Sequence, residues 1–221
     1  MLQSPRTYLP AAGRDWSLPL YDPIVTLLGG NAARRVLLEQ AALRQGHRVL
    51  DIGCGTGTLA ALIKRLHPDI EVVGLDPDPK ALARARRKAA RAAVSIPFNQ
   101  GFGDELPYPD ASFDRVFSSF MFHHLPTGET GRTLSEVRRV LKSSGSLHML
   151  DFEGPEDGVH GFLARLLRSS HRLKDNSAGR VLSLMSQAGF ADPKKVGRQR
   201  VLFGRIAYYR ASVASSEAGA A

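Results

Sequence analysis

The chain has 221 residues, 43% hydrophobic and 23% charged, a balance that suits one soluble globular domain with a small cap and excludes a fibrous or low-complexity chain. Thirty Lys and Arg against 21 Asp and Glu leave a formal charge of +9, which brings nucleic acid into consideration as a partner. A lone cysteine, Cys54, excludes an internal disulfide, and no run approaches the roughly 20 apolar residues that span a membrane.

In chain order, residues 1–45 hold prolines, Trp16, Tyr21 and the helical run NAARRVLLEQAAL, which predict a helical cap in front of the first strand. The opening MLQSPRTYLP has two prolines and no apolar centre, so no signal peptide is expected and a cytoplasmic location is. Apolar strands are predicted at 47–51, 71–76, 94–99, 113–119 and 145–151, with helices at 57–66, 78–93 and 128–142 among them. This alternation predicts a doubly wound α/β fold: a mostly parallel sheet, helices on both faces and right-handed crossovers. Helices are predicted again near 158–174 and 177–188, and KVGRQRVLFGRIAYYRAS reads as two antiparallel strands at the sheet edge. The core domain is expected to span 46–210, with a small, polar, disordered tail at 211–221.

The positive charge is spread over several of these segments. Arg84, Arg86, Arg87, Lys88 and Arg91, and again Arg138, Arg139 and Lys142, recur at helical spacing beside alanine and leucine, as on a solvated helix face. Weak, salt-sensitive contact with nucleic acid is therefore expected rather than a dedicated nucleic-acid function.

The chemistry concentrates at VLDIGCGTG (49–57), a short strand, an aspartate, then glycine at every second position. A dinucleotide turn needs G-x-G-x-x-G, but Gly53, Gly55 and Gly57 are followed by Thr58. A phosphate-binding P-loop needs a lysine that is absent here. Asp51 at the mouth of the loop would repel a phosphate and accept hydrogen bonds from an ammonium group, while the glycines let backbone pass beneath a ligand. A second carboxylate, Asp76, ends the next strand in EVVGLDPDP, placed to hold both hydroxyls of a ribose. An amino acid at one end and a ribose at the other describe S-adenosylmethionine.

VLDIGCGTG followed by VVGLDPDP resembles the first two motifs of the class I S-adenosylmethionine-dependent methyltransferases, and the likeness continues through QGFGDELPYPDASFDRVFSSFMFHHLP to LSLMSQAGF. It is strongest to the small-molecule branch that includes the ubiquinone and menaquinone C-methyltransferases. The resemblance implies a seven-stranded sheet with a reversed last strand. It also implies that Asp51, Gly53, Cys54, Gly55 and Gly57 surround the methionine moiety and that Asp76 and Pro77 lie at the ribose. Cys54 reads as a small packing residue of that loop and not as a nucleophile. Relatives place an aspartate toward adenine where this chain has Phe102, followed by Gly103. Adenine would then rest on Phe102 and backbone amides, with Asp104 substituting if the loop shifts.

FMFHHLP lies just past the fourth strand, where ligands collect at the carboxyl ends of a parallel sheet. Two adjacent histidines without partners at ligand spacing do not make a metal site, so no metal is expected. By analogy with related enzymes, His123 faces the acceptor as a general base and His124 packs behind it, the alternative being that both are scaffold. Ser119 and Phe120 would border the sulfonium, and Asp151 either supports a neighbouring group or starts a helix. Trp16, Tyr21 and His171 are candidates for an acceptor pocket. The N-P-P-[YF] signature of many amino-group methylators is replaced by SSFM, which favours an oxygen or carbon atom of a small organic molecule such as a phenol or quinol. A methyltransferase acting on RNA or protein and a non-catalytic cofactor-binding module are the alternatives. The sequence says nothing of oligomeric state.

Overall fold

The computed structural model describes residues 30–153, 178–201 and 204–213. Trp16, Tyr21, His171, the helix expected at 158–174 and most of the expected tail lie outside them. The elements are α1 (Gly30–Glu39), β1 (Arg48–Ile52), α2 (Thr58–Leu66), β2 (Glu71–Asp76), α3 (Pro79–Arg91), β3 (Phe98–Gln100), β4 (Phe113–Ser119), α4 (Thr127–Val140), β5 (Leu141–Phe152), α5 (Ala178–Gln187), β6 (Phe190–Val201) and β7 (Gly204–Val213). A short 3₁₀ turn, Phe122–His124, follows β4. No helix among the described residues is long and apolar enough to cross a membrane.

The strands form one seven-stranded sheet in the order β3-β2-β1-β4-β5-β7-β6. β1 to β5 run parallel, and β7 runs antiparallel to both β5 and β6. The reversed strand is thus the last in the chain, as expected, with β6 outside it at the edge. The chain leaves β1 toward β2 on one side and returns at β4 on the other. That reversal opens a crevice at the carboxyl ends of β1 and β4.

Burial on both faces explains the near-continuous apolar runs of the central strands. On one face Val49, Phe117, Leu150 and Tyr208 pack against Ala33 and Leu37 of α1, Leu59 and Ile63 of α2, and Ala85 of α3. On the other, Leu50, Val116, Leu147 and Tyr209 pack against Leu134 and Val137 of α4 and Val181 and Met185 of α5. Each fully buried leucine or valine stabilises the fold by roughly 1.5–3 kcal/mol. α3 shows how the basic helices resolve. Asp78 caps it by accepting from the Lys80 N–H, and Pro79 takes the first turn, where no N–H is needed. Ala81, Leu82, Ala85 and Ala89 face inward, leaving Arg87 and Arg91 exposed to water, while Arg86 donates to the Phe98 carbonyl at 2.8 Å.

Two boundaries differ from expectation. The third strand is Phe98–Gln100, not 94–99. Ala93 turns left-handed (φ 51°), Val94 donates back to the Ala89 carbonyl, and Pro97 has no N–H to give a ladder. The helix expected to end at 142 stops at Val140, because Leu141 already pairs with Phe113 as the start of β5.

His148 of β5 is buried, stacked on Phe117 at 5.5 Å and bonded to the Ser146 hydroxyl at 2.9 Å. Burial, aided by Arg115 and Arg210, pushes its pKa down to about 3. Below pH 6.5 the unfolded chain therefore binds a proton that the folded one refuses, so stability falls with pH through that window. The slope from this residue is about 1.4 kcal/mol per unit at most. His148→Leu is expected to remove that share of the acid sensitivity, read as the difference in thermal unfolding between variant and wild type from pH 7 to pH 3. A constant difference across the range would refute it.

Candidate active site

Asp51 is the fourth residue of β1 and is 1% exposed. Its Oδ2 accepts from the Ala60 N–H in α2 at 3.1 Å, while its Oδ1 is buried and accepts from no described residue. Burial raises its pKa to about 7, against the pull of Arg34 and the Ala60 N–H. Asp76 closes β2, with Oδ2 accepting from the Gly55 N–H at 2.8 Å and Oδ1 from the Asp78 N–H at 2.9 Å. Burial raises it as well, to about 6. One carboxylate thus sits under the glycine loop and the other ties the loop to the neighbouring strand.

All three loop glycines take a positive φ, where a side chain strains the backbone, and at the two ends there is no room for one either. Gly53 has φ 64°, and a Cβ there would overlap Cγ of Met121. Gly57 has φ 72°, and a Cβ would lie 2.8 Å from that of Ala85. Gly55, between them, faces open space. Lys88 of α3 reaches the Thr58 and Thr56 hydroxyls at 2.6 and 3.1 Å and pins the start of α2. Cys54 is buried, and burial beside Asp51 and Asp76 pushes its thiol well above its usual range, so it packs and is no nucleophile at neutral pH.

The next loop borders the same crevice. Pro77 is half-buried and its carbonyl accepts from the Gln100 side chain at 3.2 Å. Gly101 donates to the Asp76 carbonyl, Phe102 is half-buried, and Gly103 lies close against Ile52 and Thr133. Asp104 accepts from both Nε and an Nη of Arg132 in α4 at 3.1 Å, so its carboxylate is bound to that helix. Ser119 ends β4 beside Leu150. Phe120 follows in the left-handed region (φ 58°), held by its N–H to the Leu150 carbonyl, with its ring 5.1 Å from that of Phe152.

The 3₁₀ turn then delivers His123 to the end of β5. The His123 backbone N–H donates to Asp151 Oδ2 at 2.9 Å, its Nδ1 lies 2.6 Å from Oδ1, and the Phe152 N–H donates to Oδ1 at 2.7 Å. Asp151 is fully buried. A carboxylate only accepts, so Nδ1 carries the hydrogen, and in the neutral ring Nε2 is the nitrogen with the lone pair. The His124 ring lies 4.0 Å from that of His123, and its N–H returns to Met121. Among the described residues no group of three or more His, Cys, Asp or Glu could hold a metal.

Arg34 was not foreseen. It comes from α1, is 5% exposed, and its guanidinium stands 5.6 Å from the Phe120 ring centroid. The one signal was its place on the apolar stripe Gly30, Ala33, Leu37 and Leu38. The crevice therefore offers an unused anionic oxygen at Asp51, an open glycine loop and a second carboxylate one strand away. These fit a ligand with a cationic amine at one end and paired hydroxyls further on.

Comparison with known proteins agrees. Residues 49–145 match a family model described as a methyltransferase domain. The demethylmenaquinone methyltransferase of Deinococcus radiodurans is 36% identical over 80% of this chain and 76% of its own. The 27-O-demethylrifamycin SV methyltransferase of Amycolatopsis mediterranei is 38% identical over 50% of this chain and 40% of its own. The crystal structure of YcgJ from Bacillus subtilis superposes with a TM-score of 0.70 at 21% identity, covering 83% of this chain and 99% of that one. The chain belongs to the class I S-adenosylmethionine-dependent methyltransferases.

Proposed function

We propose that the protein methylates an oxygen or carbon atom of a small hydroxylated organic molecule, with His123 as the base. The observation that carries this reading is the His123–Asp151 pair, which engages Nδ1 and leaves Nε2 clear of the carboxylate at the carboxyl end of the sheet. S-adenosylmethionine, when bound, supplies an electrophilic methyl group on a sulfonium. Asp51 and the loop of Gly53, Cys54, Gly55 and Gly57 hold its amino-acid end, and Asp76 with Pro77 its ribose. Phe102 and Gly103 lie along the adenine, while Asp104 serves through Arg132 to shape that loop. Ser119 and Phe120 line the passage between cofactor and acceptor.

Because such a methyl group is reactive without help, the chain's tasks are to align the acceptor, exclude water and take a proton. A phenol or quinol needs that proton removed as the new bond forms; Nε2 accepts it, and Asp151 holds the ring and balances the charge that develops. The name of the Deinococcus relative makes quinols the first acceptors to try, and that of the Amycolatopsis relative adds hydroxyl oxygens. The test is release of S-adenosylhomocysteine from S-adenosylmethionine across a panel of quinols, phenols and amines. Turnover confined to hydroxylated acceptors supports the reading, and turnover confined to amines sinks it. Asp76→Ala is expected to weaken S-adenosylhomocysteine binding by about 1.5–3 kcal/mol for each ribose hydrogen bond lost. Titration calorimetry checks this, and unchanged affinity would move the ribose elsewhere.

A further inference from the structure

Asp151 is followed on its own face of the sheet by a second buried carboxylate. Glu153 lies two residues further on, so its side chain leaves the strand on the same side. Its N–H donates to the Arg205 carbonyl, which carries the β5–β7 ladder past Phe152. The side chain is 3% exposed: Oε1 accepts from Lys195 of β6 at 2.8 Å, while Oε2 is buried and has no partner among the described residues. Tyr209 of β7 pairs with Met149, two residues before Asp151, and so shares that face. It is fully buried, and its hydroxyl also has no partner among the described residues. Burial, with Glu153 and Asp151 close by, pushes its pKa up, so the hydroxyl remains a donor at neutral pH. An acceptor oxygen and a donor hydroxyl are thus both desolvated and unbonded, which is costly. A single hydroxyl group brought between them would donate to Glu153 and accept from Tyr209.

We propose that Glu153, with Tyr209, binds a second hydroxyl of the methyl acceptor, one that is not itself methylated, and so selects dihydroxylated over monohydroxylated molecules. This rests on the reading of a small hydroxylated acceptor with His123 as the base. The position suits it. His123 is bonded to Asp151, and Glu153 is the next residue on that face, about 7 Å along the strand, a separation that two hydroxyls on one ring system can bridge. The residue type suits it as well, because a hydrogen bond to a carboxylate is stronger than one to a neutral oxygen. Lys195 already fixes Glu153 through Oε1, so little ordering of that side chain remains when the acceptor arrives. A molecule lacking the second hydroxyl would leave both buried groups unpaired, the arrangement by which a polar site rejects an otherwise similar substrate.

The test compares kcat/KM for two probes that differ by one hydroxyl, 1,4-dihydroxynaphthalene, kept reduced, and 1-naphthol. Wild type is expected to prefer the first by about 10–100-fold. In Glu153→Gln, which keeps an oxygen for Lys195, most of that preference is expected to go, the loss falling on 1,4-dihydroxynaphthalene. Tyr209→Phe is expected to lower the preference by up to about tenfold. Because the Tyr209 hydroxyl bonds nothing described in the empty protein, this variant should unfold at no lower temperature than wild type, and it decides the matter if Glu153→Gln does not fold. An undiminished preference in the folded variants, or equal loss on both probes, overturns the proposal. Wild type that uses the two probes equally overturns it too, the place between Glu153 and Tyr209 then holding water alone. Wild type that uses neither probe also overturns it, and the proposed function falls with it only if no hydroxylated member of the acceptor panel is turned over.

Discussion

His123→Asn is expected to lower turnover by about 10²–10⁴ while leaving affinity for S-adenosylhomocysteine essentially unchanged. Asparagine is the cleaner replacement, because its amide N–H can still donate to the Asp151 carboxylate. Alanine would strand a fully buried acceptor and cost about 1–3 kcal/mol of stability besides. Asp151→Asn is expected to lower turnover as well, since an amide can offer its NH₂ group to Nδ1 and turn the imidazole to the wrong tautomer. It should also lower the unfolding temperature, because Asp151 accepts from the His123 and Phe152 backbones. Steady-state rates on the acceptor found by the panel, beside calorimetry and thermal unfolding, check all three. A rate in His123→Asn within tenfold of wild type (about 1.4 kcal/mol in barrier) would remove the base.

Cofactor affinity is expected to fall as the solution is acidified from pH 7. Empty, Asp51 titrates near 7 and Asp76 near 6, both raised chiefly by burial. An ammonium beside Asp51, and hydroxyls donating to Asp76, favour the ionised forms, so binding must expel any proton already there. The sign is thus fixed: protonation competes with the ligand. Affinity drops by about tenfold per unit between pH 7 and 6 and more steeply below, while above 7 it levels off. In the empty protein the same groups act the other way on folding, favouring the native state as the pH falls from 7 toward 4. Asp51→Asn should flatten the upper part of the binding profile and weaken affinity by about 10–100-fold at pH 8. A profile of S-adenosylhomocysteine binding that is flat from pH 5 to 8 would refute the assignment of these two carboxyls.

What could be read from the chain depended on how local each relation is. Asp51, the glycines and Asp76 occupy strand ends that alternation alone locates, so their shared crevice followed from the topology. His123 and Asp151 were each visible, but their pairing spans 28 positions. It depends on the β4–β5 register that sets Ser119 beside Leu150. Arg34 lay on an apolar stripe, where a charge is either tolerated at an edge or aimed inward, and only packing against the sheet chooses between these. The third strand was misplaced because Val94 and Ile96 suit a strand by type, whereas Pro97 and the left-handed Ala93 decide the backbone. Asp104 could not be assigned without its partner Arg132, which is a full helix turn into α4.

The contact between Gly53 and Met121 sets a limit on how this protein can diversify. Met121 fills the space a side chain at 53 would take, and it stands two residues before His123. Substitutions in the glycine loop and in the turn are therefore not independent, and a double-mutant cycle between the two positions should show a coupling of about 0.5–3 kcal/mol. A variant selected for a new acceptor by reshaping residues 120–124 would disturb the cofactor loop in the same step. Reshaping the acceptor side is accordingly least disruptive in segments that do not touch Gly53, and the turn that carries His123 is the costliest place to begin.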